Sequence, residues 1–492
     1  MRIYEYTRIN SVNKNRGQIL IHSLLLSAIG VVFIVVLVNV ASFSLGEINR
    51  SFYSEQAFQI AEAGIEYYRW HLAHDPTDFK NGTGQPGPYY IPYKDKEGND
   101  IGTIVLDITA PPIGSTLVKI KSTGIVNVSS SSRRTIEAQL AIPSVAKYAT
   151  AVNDKVRFGA GTVVNGQIHS NDGIRFDGVA NNIVTSAKSE YDDPDHSGVN
   201  EFGVHTHVSP VDPYPPSAVP TRTDVFKAGR QFPVPAIDFN NFTADLAQIK
   251  TDAQANGRYF APSSGFGYEI ILKTDDTFDI YTVNSLEPPP SSSCYNVVGE
   301  DDWGTWSVKS KTLISNYAIP ANGLIFIEDD VWVSGQINTA RVTIASGKFP
   351  ENPSTDTHIT VNGDLLYTNY DGQDVIGLIA QKNFNVGLFG EDDLKIDAAI
   401  IAKNGRVGRY YYRQPWWNYT RCGPNSLRDT ITLYGMIATN KRYGFSWGCG
   451  GYYCSGYNNR NINYDSNLLY GPPPSFPLTS SDYETISWEE IR

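Results

Sequence analysis

Three Glu-Asp-Asp triplets are the first candidates for chemistry: Glu300-Asp301-Asp302, Glu328-Asp329-Asp330 and Glu391-Asp392-Asp393. Clustered carboxylates can divide general acid and base work on a glycan or hold calcium. None has a second motif beside it, and such tripeptides are ordinary turn residues, so they are read as turns. Were they catalytic, the chain would be a membrane-tethered polysaccharide-active enzyme on a β-helix, with Asp301, Asp329 and Asp392 as the acids to test. A second cluster sets His196, His205 and His207 among Asp192, Asp193 and Asp195. A His-x-His pair on a strand puts both rings on one face, which is half of a metal site. The same residues suit an exposed loop between strands. That is the reading taken, so no metal, cofactor or catalytic residue is expected, and the chain is read as non-enzymatic. Gly-rich phosphate loops and nucleophile elbows do not occur.

Four cysteines, Cys294, Cys422, Cys449 and Cys454, form an even set, which permits disulfides in an exported chain and leaves three full pairings open. Their spacing is not that of a zinc site, since Cys449 and Cys454 lack a matching second pair. Aromatic residues crowd the same region: Tyr410, Tyr411, Tyr412, Trp416, Trp417 and Tyr419, then Tyr443, Phe445, Trp447, Tyr452, Tyr453 and Tyr457. They are expected to cap the open end of a repetitive domain; exposed, they would suit a surface glycan or a protein ligand.

The elements that must carry these residues belong to a chain of 492 residues, long enough for several domains. Its 42 Gly and 30 Tyr against 2 Met lean towards turns and strands. A net charge of −11, spread along the chain, repels phosphate backbones, so nucleic acid is not an expected partner.

Residues 1–17 carry Arg2, Arg8, Lys14 and Arg16 against one acid, Glu5, whereas Gln18 to Gly46 contains no Asp, Glu, Lys or Arg. A basic leader thus precedes a segment longer than the roughly 20 residues that cross a bilayer as a helix. Its basic side is expected in the cytoplasm, and the rest outside. The helical pattern continues past the apolar run, because Phe58, Ala61, Ile65, Tyr68 and Leu72 recur every three or four residues. Asp75-Pro76 is the expected stop.

Arg16-Gly17-Gln18 before the apolar run, and Gln56-Ala57-Phe58-Gln59-Ile60-Ala61-Glu62-Ala63-Gly64-Ile65-Glu66 after it, resemble the type IV pilins and pseudopilins. The match is closest to the N-terminal region of PilX-type minor pilins and covers about the first 75 residues. The resemblance implies cleavage by a prepilin peptidase between Gly17 and Gln18, and helix packing through His22, Phe58, Ala61, Glu62 and Ile65. It also implies other pilin or pseudopilin subunits and the pilus assembly machinery as partners. Two departures stand out. His22 occupies the place where the family often has an acid, and a neutral imidazole cannot supply that charge. Gln18 replaces the usual aromatic or Met. Both point to a minor or capping subunit, resident in the cytoplasmic membrane and then at the cell surface or in a pilus.

Beyond a Gly/Pro-rich loop (Asn81 to Pro92), runs at Ile101 to Ile108, Leu117 to Ile120 and Arg134 to Leu140 predict a small antiparallel sheet. Then a short motif recurs, a small turn residue followed by an apolar strand: residues 165–170, 334–339, 397–402 and 434–439. Leu378 to Val386 also aligns with Ile400 to Val407 at an offset of about 22 residues, the step of one β-solenoid rung. The expected fold is therefore mostly β with one long N-terminal α-helix: a pilin-like helix with a small antiparallel sheet, then a right-handed parallel β-helix (solenoid), with a β-sandwich as the alternative. The expected divisions are a leader (1–17), transmembrane and amphipathic helix (18–75), small β unit (76–143), solenoid (144–208 and 311–470), insertion with a helix near Asn241 to Gln254 and a hairpin (209–310), and a tail (471–492).

Overall fold

The computed structural model describes residues 16–196, 198–239, 245–449 and 452–491, which fall into two compact units. The expected leader, 1–17, lies outside the described residues except for its last two.

The first unit is built on α1, Arg16–His74, whose 59 residues at about 1.5 Å each make a rod roughly 90 Å long. It ends immediately before Asp75-Pro76, as proline's restriction of the preceding residue requires. Four strands follow, β1 (Tyr89–Lys94), β2 (Asp100–Thr109), β3 (Val118–Val126) and β4 (Ser129–Ala141). They form one sheet in the order β1-β2-β3-β4, extended by the strand Glu484–Ile491. Pairing of β1 with β2 and of β2 with β3 is antiparallel. Ile104, Leu106, Ile120 and Val126 alternate inward along β2 and β3 and are buried.

Two segments differ from expectation. Tyr89–Lys94 is a strand where a loop was expected; it stands at the sheet's edge, where Pro92 withholds no ladder hydrogen bond that a central strand would need. The expected tail contains Glu484–Ile491, which completes the opposite side of that sheet.

In the second unit, strands stack in parallel, rung on rung. Arg341–Ser346 pairs with Val375–Ala380, that strand with Asp393–Ala402, and that one with Leu427–Thr439. Leu427–Thr439 then pairs with Thr150–Val152, which continues to Ile168–Ser170 and Val184–Ser186. The register puts Ile344, Leu378, Ile400, Ile437, Thr150, Ile168 and Val184 in one column, all buried. Apart from Thr150, aliphatic residues thus meet at the strand spacing of about 4.8 Å, and the apolar side chains of one strand cover those of the next. A second parallel ladder runs from Ile359–Thr360 to Phe384–Val386 to Val407–Arg409. Between these ladders the offset changes from Leu378 over Ile400 to Phe384 over Val407, so the turn of the later rung is one residue longer.

Side-chain amides stack at the turns. Asn171 donates to Asn153 and Asn153 to Asn440, each at 2.8 Å, while Asn181 donates to Asn165 and Asn165 to Asn463. Each amide satisfies its neighbour where the chain leaves a ladder. A helix at Leu246–Asn256, capped by Asp245, covers one outer face of the stack with Leu246, Ile249 and Ala253 against Leu324, Phe326 and Ile379. It starts later than expected, and residues 240–244 lie outside the described residues. The hairpin Tyr268–Leu272 with Thr277–Leu286 is antiparallel, and its first strand joins Val331–Ile337 in parallel.

Candidate functional site

The feature that the fold leaves unexplained is the first half of α1. From Gln18 to Phe52 nearly every residue is exposed, including Leu24, Leu25, Leu26, Ile29, Val31, Val32, Phe33, Ile34 and Leu37. This is the one helix among the described residues long and apolar enough to cross a membrane, with mean hydropathy 2.8 in its most apolar window. Three of its polar side chains bond back to the helix's own carbonyls. The hydroxyls of Ser23 and Ser27 donate to the carbonyls of Leu20 and Leu24, each at 2.9 Å, and Nδ1 of His22 lies 2.6 Å from the Gln18 carbonyl. Such back-bonding suits a hydrocarbon environment, where no water is present to pair these groups.

The second half of α1 is docked. Ala57, Ile60, Ala61, Ile65, Tyr68 and Leu72 are buried, and Glu62 points outward. Phe58 is half-buried, with its ring edge-on to Trp488 at 5.7 Å and the Arg134 guanidinium over its face. Arg134 also donates to Ser54 Oγ at 2.9 Å and pairs with Glu490; that hydrogen bond raises its pKa further. Glycines permit the close approach. A side chain at Gly124 would strike the Ala57 carbonyl and the Ala61 nitrogen, and one at Gly64 would strike Ser122 and Ile104. At the helix end, Tyr68 donates to the Asp78 carbonyl and His71 pairs with the Asp78 carboxylate at 2.8 Å. Partial desolvation pushes that carboxyl up, but the N–H groups of Lys80 and Gly82 and the His71 ring together hold it below its ordinary value.

Of the residues expected to pack, Ala61 and Ile65 lie on the docked face and Phe58 at its border, whereas His22 and Glu62 are exposed. Ala57, Ile60 and Gly64 belong to the same face and were not singled out, although their three- and four-residue spacing carries the same signal. Gln18 is exposed on the first turns of α1, one residue after Gly17.

Cys294 is bonded to Cys422, and Cys449 to Cys454. The first bridge sits in a buried cluster with Trp306, Trp332, Leu388, Tyr410 and Tyr412. The aromatic region divides: Tyr410, Tyr412, Tyr443, Phe445 and Tyr457 are buried, while Trp416, Trp417 and Tyr419 are exposed, Trp417 at 88%. Members of each acidic triplet are held by groups from distant parts of the chain. Glu300 pairs with Arg406 at 2.7 Å, Glu328 with Lys250 at 2.7 Å, and Asp392 with Arg428 at 3.7 Å. Asp302 pairs with His358 and Lys382, and Asp330 accepts the His358 backbone N–H at 2.8 Å. The histidine patch departs from the exposed loop expected of it: His205 is fully buried on the short strand Val204–His205, beside buried Asp193 and Glu201.

No known family's sequence profile matches the chain, and no curated protein matches it. Among solved structures, the competence-associated pilin ComZ from Thermus thermophilus aligns over 89% of this chain and 97% of its own, at 13% identity and a TM-score of 0.29. A score that low does not define a shared fold.

Proposed function

We propose that the chain is a minor subunit of a type IV pilus-type filament, anchored in the cytoplasmic membrane by the bare half of α1 before assembly. A prepilin peptidase removes residues 1–17 by cutting between Gly17 and Gln18, and the freed apolar rod then packs beside like helices of other pilin or pseudopilin subunits. One observation carries the reading: a single helix is uncovered and apolar over its first half, then sealed against its own sheet over its second. A soluble protein would have to hide such a surface, whereas a lipid bilayer or a bundle of similar helices covers it. The sequence resemblance at Arg16-Gly17-Gln18 and Gln56 to Glu66 supports the same assignment.

The parallel ladders of the second unit are read as a solenoid head presented outside the cell, where its two disulfides persist. The head acts by contact and not by catalysis, with exposed Trp416, Trp417 and Tyr419 as the surface for a glycan or protein. So large a head crowds a filament if every subunit carries one, so low stoichiometry is expected. Shearing filaments from cells and probing both the sheared and membrane fractions tests this. The chain should be in the membrane and present sparsely in the filaments; recovery in the cytosol alone would overturn the assignment.

A further inference from the structure

We propose that Asp193, His205 and His207 bind one divalent transition-metal ion of the zinc class, with Glu201 and His196 beside His207 as the groups that position it. Strand pairing assembles the group. Glu190–Tyr191 pairs antiparallel with Glu201–Phe202, which brings the loop carrying Asp193 and His196 next to Glu201. Val204–His205 pairs in parallel with Ile174–Arg175, which fixes His205, and His207 follows two residues after it.

The donor atoms converge. Nε2 of His205 lies 3.6 Å from Oδ2 of Asp193, and Oε1 of Glu201 lies 3.2 Å from Nε2 of His207 and 2.9 Å from Nδ1 of His196. Two triads, Asp193–His205–His207 and His196–Glu201–His207, each gather their donors within 4.8 Å and share His207. A tetrahedral ion with bonds of about 2.0–2.1 Å sets its ligand atoms about 3.3 Å apart, so small side-chain movements suffice.

A second observation is independent of that geometry. His205 is 0% exposed and neither of its ring nitrogens has a hydrogen-bond partner; Oε2 of Glu201, itself 1% exposed, has none either. Buried polar atoms are ordinarily paired, and in either neutral tautomer His205 keeps one bare ring nitrogen able to ligate a cation. Arg175 reaches Asp193 at 3.4 Å and Asp177 at 2.8 Å and so balances part of the charge. Glu201, by contrast, has only His196 and His207 as ionic partners among the described residues. Two imidazoles, one carboxylate and no thiolate match zinc-class ions, whereas calcium and magnesium take oxygen ligands almost throughout. Three protein ligands leave the fourth tetrahedral position to an exchangeable ligand such as water.

The test uses the full chain in detergent, stripped with chelator and dialysed against Zn2+ or Ca2+, with bound metal read by elemental analysis. One Zn2+ per chain and no comparable Ca2+ is expected, with His207→Gln weakening Zn2+ binding by at least about 100-fold. Because His207 is largely buried, His196→Gln is the companion variant: it should keep the melting temperature of the metal-free chain and weaken Zn2+ binding by about 10-fold. A wild-type chain that binds no Zn2+, binds Ca2+ more tightly, or keeps its Zn2+ affinity in both variants would overturn the site.

Discussion

Replacing Gly124 with alanine should loosen α1 from its sheet more than any other single methyl group added at this contact. The new Cβ would overlap the Ala57 carbonyl oxygen and come within 2.6 Å of the Ala61 nitrogen. Both are backbone atoms of a 59-residue helix, so neither can rotate aside and the helix itself must lift. Overpacking of this kind costs typically about 1–3 kcal/mol. The upper end is expected here, because lifting also strips contacts from buried Ile60, Ala61 and Ile65. Gly64→Ala provides the contrast. Its Cβ meets Ser122 Oγ and Ile104 Cγ2, the latter at 2.6 Å, which are side-chain atoms that can yield, and alanine regains about 1 kcal/mol of helix preference. Ser122→Ala should relieve that second clash further, since its buried hydroxyl has no hydrogen-bond partner. Amide hydrogen exchange over residues 57–72 of the detergent-solubilised chain, read by mass spectrometry, measures the local opening energy. Protection should fall by roughly 100-fold in Gly124→Ala, the equivalent of about 3 kcal/mol, and much less in Gly64→Ala. Unchanged protection in Gly124→Ala, or greater loss in Gly64→Ala, would refute the packing argument.

Two further outcomes follow from the second unit. The Cys294–Cys422 bridge spans 128 positions and the Cys449–Cys454 bridge 5, so loop-closure entropy makes removal of the longer bridge by paired serine substitution costlier by about 3 kcal/mol; thermal melting of the two paired variants measures the difference. At Asp302, hydrogen bonding from His358, then Lys382, holds the carboxyl below its ordinary range. A depressed carboxylate contributes stability that is full above about pH 4 and is lost as pH falls further, so Asp302→Asn should flatten the acid limb of a stability-against-pH curve.

What could be read from residues alone follows from how local each signal is. The docked face of α1 repeats within a few positions, so its period is visible in the chain itself, and the stacking of Leu378 to Ala380 on Ile400 to Ala402 appears as a repeat because neighbouring rungs bury alike residues. The strand at Glu484–Ile491 was hidden because its place is on a sheet whose other strands end at Ala141, and a Pro/Ser-rich approach from Gly471 masks its short alternation. Burial of His205 likewise depends on Ile174–Arg175, whose pairing no spacing within the histidine patch announces. Gly64 and Gly124 carry no pattern of their own: the need for glycine arises only when helix and strand meet.

Everything in the proposed assembly depends on releasing an uncharged rod from its basic leader. Co-expression with a prepilin peptidase, followed by intact-mass and N-terminal sequencing of the membrane fraction, tests this most directly. A membrane-bound chain beginning at Gln18 is expected; a chain that retains residues 1–17 and stays in the soluble fraction would contradict the assignment.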